Sequence, residues 1–305
     1  MSDTMETIGS SLTQHGPGND RVYLMKLHPD DATQIVGWLE QLAVSCGYSK
    51  VFAKVPSWGA GRFAAAGYLM EAAIPCFFPE GGSACFMAKY FSSERSLERQ
   101  PTLVREVLMA AEARQAAVLP VPLPAEFSMR VAREEDTAGM AALYRQVFAS
   151  YPFPIHDPAF LRDTMQESTI YFGVWQGEHL IALSSAEMDL ASNSAEMTDF
   201  ATLPENRGHG LALHLLQQME TIMQDRGVRS LFTIARAYSF GMNITFARNG
   251  YRFGGTLTNN TNISGSLESM NVWHKGLPEV ERVSPPSSER TLSLPGQPAG
   301  RPDSG

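Results

Sequence analysis

Residues 202–212 have the sequence Thr-Leu-Pro-Glu-Asn-Arg-Gly-His-Gly-Leu-Ala, a glycine-rich turn between two regular patterns. Before the turn, residues 196–203 are typical of a strand. After it, apolar side chains recur with a helical period and leave a polar opposite face. The apolar series consists of Leu211, Leu215, Leu216, Met219, Ile222 and Met223. The stretch therefore predicts a strand, a tight turn and an amphipathic helix in direct succession.

A turn of this kind is suited to bind a pyrophosphate group. Successive backbone N–H groups point at the anion, and the helix N-terminus adds a partial positive charge. Gly208 and Gly210 let the backbone approach the anion closely and take dihedral angles that a side chain would forbid. We therefore expect an anionic ligand at residues 207–212.

Length, composition and charge limit the class of protein. The 305 residues are enough for two domains, and 44% hydrophobic with 18% charged residues is typical of a soluble globular protein. The net charge of −8 argues against a nucleic-acid binder, because neutralising phosphates requires a basic surface. The negative charge suits a small cationic substrate, although an acidic surface also serves solubility alone.

The cysteines and the N-terminus bear on compartment and metal content. The chain has three cysteines, Cys46, Cys76 and Cys85, and this odd number argues against a disulfide framework. Their spacing is not that of metal ligands. The N-terminus lacks the basic start and apolar run of a secretory signal, and no apolar stretch is long enough to cross a membrane. We expect a cytoplasmic protein with no metal, no membrane partner and no nucleic-acid partner, and we leave a homodimer open.

The chain is predicted to contain two folded domains. Residues 1–19 and 278–305 are polar or rich in glycine and proline, which predicts disorder. Alternate prolines at positions 120, 122 and 124 predict a stiff linker at 118–127. We therefore expect an N-terminal α/β domain over 20–117 and a second domain over 128–277.

The second domain has a regular succession of predicted elements. Their order is β-α-β-β-β, glycine turn, α-β-α-β-β. Ser239 is expected to cap the last helix, and Gly227 and Gly250 to end the last two helices. The predicted strands lie at 129–132, 170–175, 179–187, 195–203, 228–235, 251–257 and 269–274.

An internal repeat connects the two halves. Phe63-Ala64-x-x-Gly67-Tyr68 matches Phe246-Ala247-x-x-Gly250-Tyr251, and further matches occur at the same offset. An apolar strand precedes each copy. The N-terminal domain is therefore predicted to copy the back half of the second domain without its glycine turn, so we expect no second anion site.

The pattern Arg207-x-x-Gly210-x-Ala212 resembles the acyl-CoA-binding motif of the GNAT N-acetyltransferases, Arg/Gln-x-x-Gly-x-Gly/Ala. The element order of 128–277 is similar to that of the same family. Residues 233–273, the Phe-Met-Ala-Lys-Tyr-Phe run at 86–91 and the run at 67–75 resemble the β-lysine N-acetyltransferases in particular.

This resemblance, over about 20–277, implies both a fold and an activity. The fold is α/β (α+β): a central mixed, mostly antiparallel sheet flanked by helices, preceded by a smaller domain like half of a GNAT fold. The activity is acetyl transfer from acetyl-CoA to the terminal amine of β-lysine. The product in that family, Nε-acetyl-β-lysine, is a compatible solute that serves osmoprotection.

The implied cofactor site is built mainly from backbone. The N–H groups of the turn are expected to hold the pyrophosphate, and the unpaired edge of the strand at 200–202 to pair with the pantetheine amides. A backbone N–H near Ala201 is expected to stabilise the oxyanion of the tetrahedral intermediate. His209 is interpreted as exposed near phosphate rather than catalytic. The predicted cofactor-binding residues are Phe200, Ala201, Thr202, Arg207, Gly208, His209, Gly210, Leu211, Ala212 and Asn243.

Proton transfer is predicted to involve Glu196 and Tyr238. The acceptor amine has a pKa of about 10.4 in water, so it arrives charged and needs a base. Glu196 matches the position of the base in several GNATs, while Glu187, Asp199 or a chain of waters are alternatives. Many GNATs have a tyrosine proton donor where this chain has Phe246. Tyr238 is therefore the predicted acid, with solvent as the alternative.

The acceptor is expected to be a small cationic amino acid bound by amide and carboxylate side chains. An ordinary asparagine-rich hairpin turn remains the alternative interpretation of residues 259–262. The alternative functions are acetylation of another small amine (a polyamine or an amino acid), acetylation of a protein lysine, and a non-catalytic acyl-CoA sensor. The predicted substrate-binding residues are Glu187, Asp199, Asn259, Asn260, Asn262 and Glu268.

Overall fold

The computed structural model describes residues 3–115, 122–263 and 265–278. The predicted linker at 118–127 lies partly outside these ranges, and the predicted tail at 278–305 lies almost wholly outside them. The N-terminal half consists of β1 (Thr4–Ile8), β2 (Ser11–Gly16), β3 (Arg21–Lys26), α1 (Ile35–Cys46), β4 (Lys50–Pro56), α2 (Ser57–Ala65), β5 (Leu69–Ile74), β6 (Ala84–Tyr90) and α3 (Pro101–Glu112).

The C-terminal half begins after the gap at 116–121. It consists of β7 (Phe127–Val131), α4 (Thr137–Val147), α5 (Pro158–Glu167), β8 (Thr169–Gln176), β9 (His179–Asp189), β10 (Ser194–Thr202), α6 (Leu211–Asp225), β11 (Ser230–Arg236), α7 (Phe240–Arg248), β12 (Arg252–Ile263) and β13 (Ser266–Gly276).

One 13-stranded sheet unites all these strands. Its order is β1-β2-β3-β4-β6-β5-β12-β13-β11-β10-β9-β8-β7. Only β3–β4 and β10–β11 pair in parallel among the described strands. The predicted fold class, a mixed and mostly antiparallel sheet flanked by helices, is therefore confirmed.

The strand, turn and helix around residues 202–212 follow the prediction. Helix α6 begins at Leu211, directly after Gly210, whose φ of 70° only glycine adopts without strain. Its apolar face is buried at Leu215, Leu216 and Met219. Ser239 caps α7, with its hydroxyl oxygen accepting from the N–H of Met242 at 3.4 Å.

Two details of the C-terminal half differ from the prediction. The order omitted α5, a short helix that buries a single Leu161 and therefore has a weak apolar pattern. The alternative interpretation of residues 259–262 as a hairpin turn is wrong, because these residues belong to β12. A bulge between Leu257 and Thr261 and a positive φ at Asn259 let polar residues occupy the strand.

The predicted disorder of residues 1–19 is also wrong, because residues 4–16 form β1 and β2. Polar composition hid these strands, since the side chains they bury are polar. Ser11 and Thr13 are both fully buried. The Ser11 hydroxyl donates to the Asp31 carboxylate at 2.6 Å, and that of Thr13 donates to the Glu6 carbonyl at 2.9 Å. Hydrogen bonds therefore satisfy these buried hydroxyl groups. Buried apolar side chains at the same positions would have produced a strand pattern that the sequence shows directly.

The two halves repeat one strand order. β1-β2-β3-α1-β4-α2-β5-β6 corresponds element by element to β8-β9-β10-α6-β11-α7-β12-β13, and the neighbours within the sheet correspond as well. The matched motifs share their packing: Phe63 lies 5.1 Å from Tyr68 and Phe246 lies 5.0 Å from Tyr251, between ring centroids and edge to face. The likeness thus includes β1–β3, beyond the repeat seen in the sequence.

A buried ion pair joins the two halves where β5 meets β12. The Lys50 ammonium donates to Glu71 at 2.9 Å and to the backbone carbonyl of Thr258 at 2.8 Å. Glu71 also accepts from the N–H of Thr258 at 3.0 Å. Burial lowers the pKa of Lys50 to about 8, against the opposing charge of Glu71. Removing one partner would leave the other charge buried and unpaired.

The described part of the chain has neither a helix long and apolar enough to cross a membrane nor a group of three His, Cys, Asp or Glu side chains that could hold a metal. The three cysteines are free. Cys46 and Cys76 are exposed, and Cys85 is buried.

Replacing Gly255 by alanine is expected to destabilise the protein by at least about 2 kcal/mol, because backbone strain and overpacking each cost about 1–3 kcal/mol. Gly255 has a φ of 140°, and an added Cβ would lie 2.2 Å from the Glu71 carbonyl oxygen. Gly37→Ala is the control: it lies within α1 with open space around it and should stabilise the protein by about 0.5–1 kcal/mol. Urea unfolding measures both. Equal stability of Gly255→Ala and wild type would contradict this account of the junction.

Candidate active site

A cavity of about 1130 Å³ is lined by both halves of the chain. The glycine turn and β9, β10 and β11 form one side. On the other side, β3 contributes Arg21, Tyr23 and Met25, and β4 contributes Phe52 and Lys54. Alternation along these two strands places their lining side chains on one face of the sheet. The N-terminal half therefore forms part of the wall of the cavity.

Contacts at the margins also hold the two halves together. Lys26 at the end of β3 forms an ion pair with Asp189 at the end of β9, at 3.3 Å. The Gln14 amide donates to the Pro152 carbonyl at 3.3 Å. The halves thus meet both at the β5–β12 junction and across the cavity.

The glycine turn presents unpaired backbone donors. The N–H groups of residues 208–212 donate to no acceptor within the described ranges. Gly208 and Gly210 have φ values of 91° and 70°, and a Cβ added to either would meet no atom within 4 Å. The glycines are therefore not required by packing of the protein itself. The geometry fits a pyrophosphate bound against bare backbone at the start of α6.

Strands β10 and β11 diverge next to the turn. They pair only from Ser194 to Glu196, whereas β10 continues to pair with β9 as far as Thr202. A bulge between Thr198 and Ala201 puts Asp199 at a φ of 58°. One edge of β10 is therefore free over 197–202, as an extended amide-containing arm of acetyl-CoA requires.

Most of the predicted cofactor residues lie around this opening. Ala201 is buried in the core, so only its backbone can take part. His209 does not line the cavity and packs edge to face on Phe127, with ring centroids 5.6 Å apart. Asn243 is buried, donates to two carbonyls and accepts from Asn271 and Trp273 at 2.8 Å each. The predicted residues that line the cavity are Phe200, Thr202, Arg207, Gly208, Gly210, Leu211 and Ala212.

Among the five acidic residues that line the cavity, three lie together on β9 and β10. Glu187 and Glu196 are direct cross-strand partners on β9 and β10, and Asp199 follows in the bulge. Asp199 accepts from Ser185 at 2.6 Å and from the Tyr151 hydroxyl. The structure thus brings together the three acidic residues that the sequence offered as alternative bases.

The pKa values of all three carboxyl groups are raised. The pKa of Glu196 is raised to about 7, chiefly by burial and also by the charge of Asp199, against the opposing charge of Lys54. Burial and the charges of Asp199 and Glu196 raise the pKa of Glu187 well above its ordinary value. Burial also raises the pKa of Asp199, although its hydrogen bonds oppose this. Such a cluster favours a cation and can take up a proton near neutral pH.

Most of the predicted acceptor-binding residues on β12 and β13 form hydrogen bonds with other parts of the protein. Asn259 donates to the carbonyls of Arg95 and Leu97, and Asn262 donates to that of Gly18. Asn260 does line the cavity, and its side-chain oxygen has no hydrogen-bond partner within the described residues.

Glu268 and Tyr238 also have partners of their own. Glu268 accepts a bidentate pair of hydrogen bonds from Arg236 at 2.9 and 2.7 Å. The Tyr238 hydroxyl donates to Glu98 at 2.6 Å, and burial and that carboxylate raise its pKa. Neither side chain lines the cavity, whereas Phe246 does. The structure therefore does not bring Tyr238 to the glycine turn.

Sequence reasoning missed the contribution of the N-terminal half. Arg21, Tyr23 and Lys54 alternate with apolar residues in β3 and β4, a pattern that indicates one polar face but not what that face meets. The internal repeat was the available signal. It matches β4 to β11, which lines the cavity in the other copy, but it does not reach β3.

Replacing Gly210 by valine is expected to abolish CoA binding, because the side chain would fill the cradle at the unpaired N–H groups. Gly177→Val is the matched control, since Gly177 also has a positive φ (60°) and open space but lies in the β8–β9 hairpin. Calorimetric titration with CoA measures the effect. Unchanged affinity in folded Gly210→Val, or equal loss in the control, would contradict the assignment of the cradle.

Comparisons with known proteins agree with this geometry. The model of the acetyltransferase (GNAT) family matches residues 135–251. A β-lysine N(6)-acetyltransferase of Methanococcus maripaludis is 38% identical over 269 residues, which cover 88% of this chain and 97% of that protein. The N-acetyltransferase YodP of Bacillus subtilis is 39% identical over 197 residues, 65% of this chain and 71% of that protein.

A second β-lysine N(6)-acetyltransferase, from Methanosarcina mazei, is 37% identical over 151 residues, 50% of this chain and 56% of that protein. The similarity to the M. maripaludis protein covers nearly its full length, so it extends over both halves of the sheet. The family model, the glycine turn and the divergence of β10 from β11 agree on one chemistry. The chain therefore belongs to the GNAT family and is an acyl-CoA-dependent N-acetyltransferase.

Proposed function

We propose that the acceptor is β-lysine and that its terminal amine receives the acetyl group. The observation that carries the proposal is the acidic cluster of Glu187, Glu196 and Asp199 on the wall of the cavity that also contains the glycine turn. A diamine cation matches three carboxylates better than a neutral or anionic acceptor does. The M. maripaludis and M. mazei relatives, which bear the name of this activity, support the same choice.

The acceptor ammonium must lose a proton before it can attack. Glu196 is the proposed base, because its pKa of about 7 allows it to take a proton at neutral pH and return it to solvent. Glu187, directly opposite, and Asp199 are proposed to hold the substrate cation. Asp199 is the poorer base of the three, because Ser185 and Tyr151 already donate to it.

Acetyl-CoA supplies the acetyl group as an activated thioester. The N–H groups at 208–212 are proposed to hold its pyrophosphate, and the free edge of β10 to align its amide-containing arm. A backbone N–H near Ala201 is proposed to stabilise the negative charge on the carbonyl oxygen. Solvent is the proposed proton donor to the thiolate, because Phe246 has no proton to give and Tyr238 is bonded to Glu98.

The product has chemistry suited to a compatible solute. Acetylation removes one positive charge from β-lysine and leaves a zwitterion without net charge. We propose that this product accumulates in the cytoplasm and serves osmoprotection. The free cysteines of the chain are consistent with a reducing compartment.

Replacing Glu196 by glutamine is expected to lower kcat/KM by about 10²–10⁴ at neutral pH, the range for loss of a general base. In the wild type, kcat/KM should fall as the pH drops below about 7, because protonated Glu196 cannot accept a proton. The variant should lack this inflection, and its deficit should shrink at high pH, where more amine is neutral. Glu167→Gln, which removes another carboxylate of the cavity wall, is the control.

Acceptor choice tests the proposed substrate directly. β-Lysine should be acetylated faster than α-lysine, and putrescine or a histone peptide more slowly still. The wrong isomer would leave polar groups of the site unpaired, at about 1–3 kcal/mol each, enough for roughly tenfold or greater discrimination. The measurement is kcat/KM for the four acceptors at fixed acetyl-CoA. Equal rates with both lysines, or a preference for putrescine or peptide, would refute β-lysine as the substrate.

A further inference from the structure

A buried arginine that has no counter-ion among the described residues lines the cavity. Arg21, on β3, is 4% exposed. Its hydrogen bonds all run through Nη1, which donates to the Asn260 carbonyl and, at 3.2 Å, to the Thr261 hydroxyl. Its Nε has no hydrogen-bond partner within the described residues. One side of the guanidinium is thus anchored to β12, and the other remains without an acceptor.

The described residues offer this cation no direct ion pair. Burial lowers the pKa of Arg21 to about 10, so the guanidinium is still charged at neutral pH; the charges of Tyr23 and Asp3 oppose the shift. The Asp3 carboxylate itself accepts from Gly18 and Asn19. A buried charge with neither a counter-ion nor full solvation is costly. A carboxylate in the cavity would supply what Arg21 lacks.

Lys54 does not fill the same role. Its charge acts on both Glu196 and Glu187, so it belongs to the acidic cluster. Tyr23 lies between the two regions. The Arg21 guanidinium is 5.2 Å from the centroid of the Tyr23 ring, and burial and the charge of Glu196 raise the pKa of the Tyr23 hydroxyl. Arg21 and Tyr23 are alternate residues of β3, about 6.6 Å apart along the strand, and within the described residues no ion pair joins Arg21 to the acidic cluster.

We propose that Arg21 binds the carboxylate of the acceptor amino acid, while the acidic cluster holds its amines. The inference rests on the proposed function and makes it more specific: the N-terminal half supplies the residue that distinguishes an amino acid from a simple diamine. The planar guanidinium suits a carboxylate because two N–H donors match its two oxygens.

The test compares β-lysine with 1,4-diaminopentane, which is β-lysine without its carboxyl group. Arg21→Gln should lower kcat/KM for β-lysine by about 10- to 100-fold, mainly through KM, the range expected for loss of a charge-assisted hydrogen bond. It should leave 1,4-diaminopentane within about threefold, since that amine makes no such bond. Arg21→Lys keeps the positive charge but loses the planar pair of N–H donors, so its kcat/KM for β-lysine should lie between those of the wild type and Arg21→Gln.

Arg95→Gln is the matched control, because Arg95 is also buried near β12 but does not line the cavity. It should leave the ratio of the two acceptors unchanged, and CoA titration checks that each variant is folded. An equal loss for both acceptors in Arg21→Gln, no loss for either, or a wild-type preference for 1,4-diaminopentane would overturn the inference.

Failure of the proposed substrate has a different signature. If the wild type acetylates α-lysine faster than β-lysine, the proposed function is wrong, and α-lysine with its decarboxylated form, cadaverine, becomes the test pair. Selective loss of α-lysine activity in Arg21→Gln would then still support carboxylate binding by Arg21. Equal loss of both would reject it.

Discussion

The buried ion pair of Lys50 and Glu71 holds the backbone of Thr258, and the continuity of the sheet depends on this contact. At this point β5 of one half meets β12 of the other. The two strands share a single paired position, Gly255 opposite Ala72, so main-chain hydrogen bonds alone give the junction little support. The buried charges of Lys50 and Glu71 bind the backbone of Thr258 where ladder hydrogen bonds between the two strands are missing. Because the sheet continues through this junction, β3 and β4 come to lie on the cavity that contains β9 and β10.

The cavity has separated charges on its wall, and this separation has a thermodynamic cost. Glu187 and Glu196 are acidic side chains directly opposite each other on neighbouring strands, which disfavours ionisation of both at once. Arg21 is a cation without a direct counter-ion in the described structure. A zwitterionic diamine would relieve both costs at once, since its ammonium and carboxylate groups complement the two regions. The charges that are costly to bury are thus the same ones that are proposed to select a zwitterionic diamine.

The sequence predicted the parts of the fold that depend on local rules. The glycine turn, α6 and the caps at Ser239 and Gly250 follow from dihedral preferences and helical period, which neighbouring residues determine. Residues 259–262 were misinterpreted because the partners of their side chains are distant: Asn259 bonds to Arg95, 164 positions away, and Asn262 to Gly18, 244 positions away. Arg21 was missed for the same reason. Nothing near it in the chain indicates that β3 lines the cavity of the other half.

The correspondence between the halves has a consequence for how the site assembles. One copy contains the glycine turn that is proposed to bind the acyl donor, and the other, in which the described residues include no such turn, forms part of the cavity wall. In two separate chains this wall would be lost on dilution, because an intermolecular contact depends on concentration. Within one chain the contact has a fixed stoichiometry and a high effective concentration set by the tether. The cavity-facing residues of the N-terminal copy, among them Arg21, can therefore change without altering the half that contains the glycine turn.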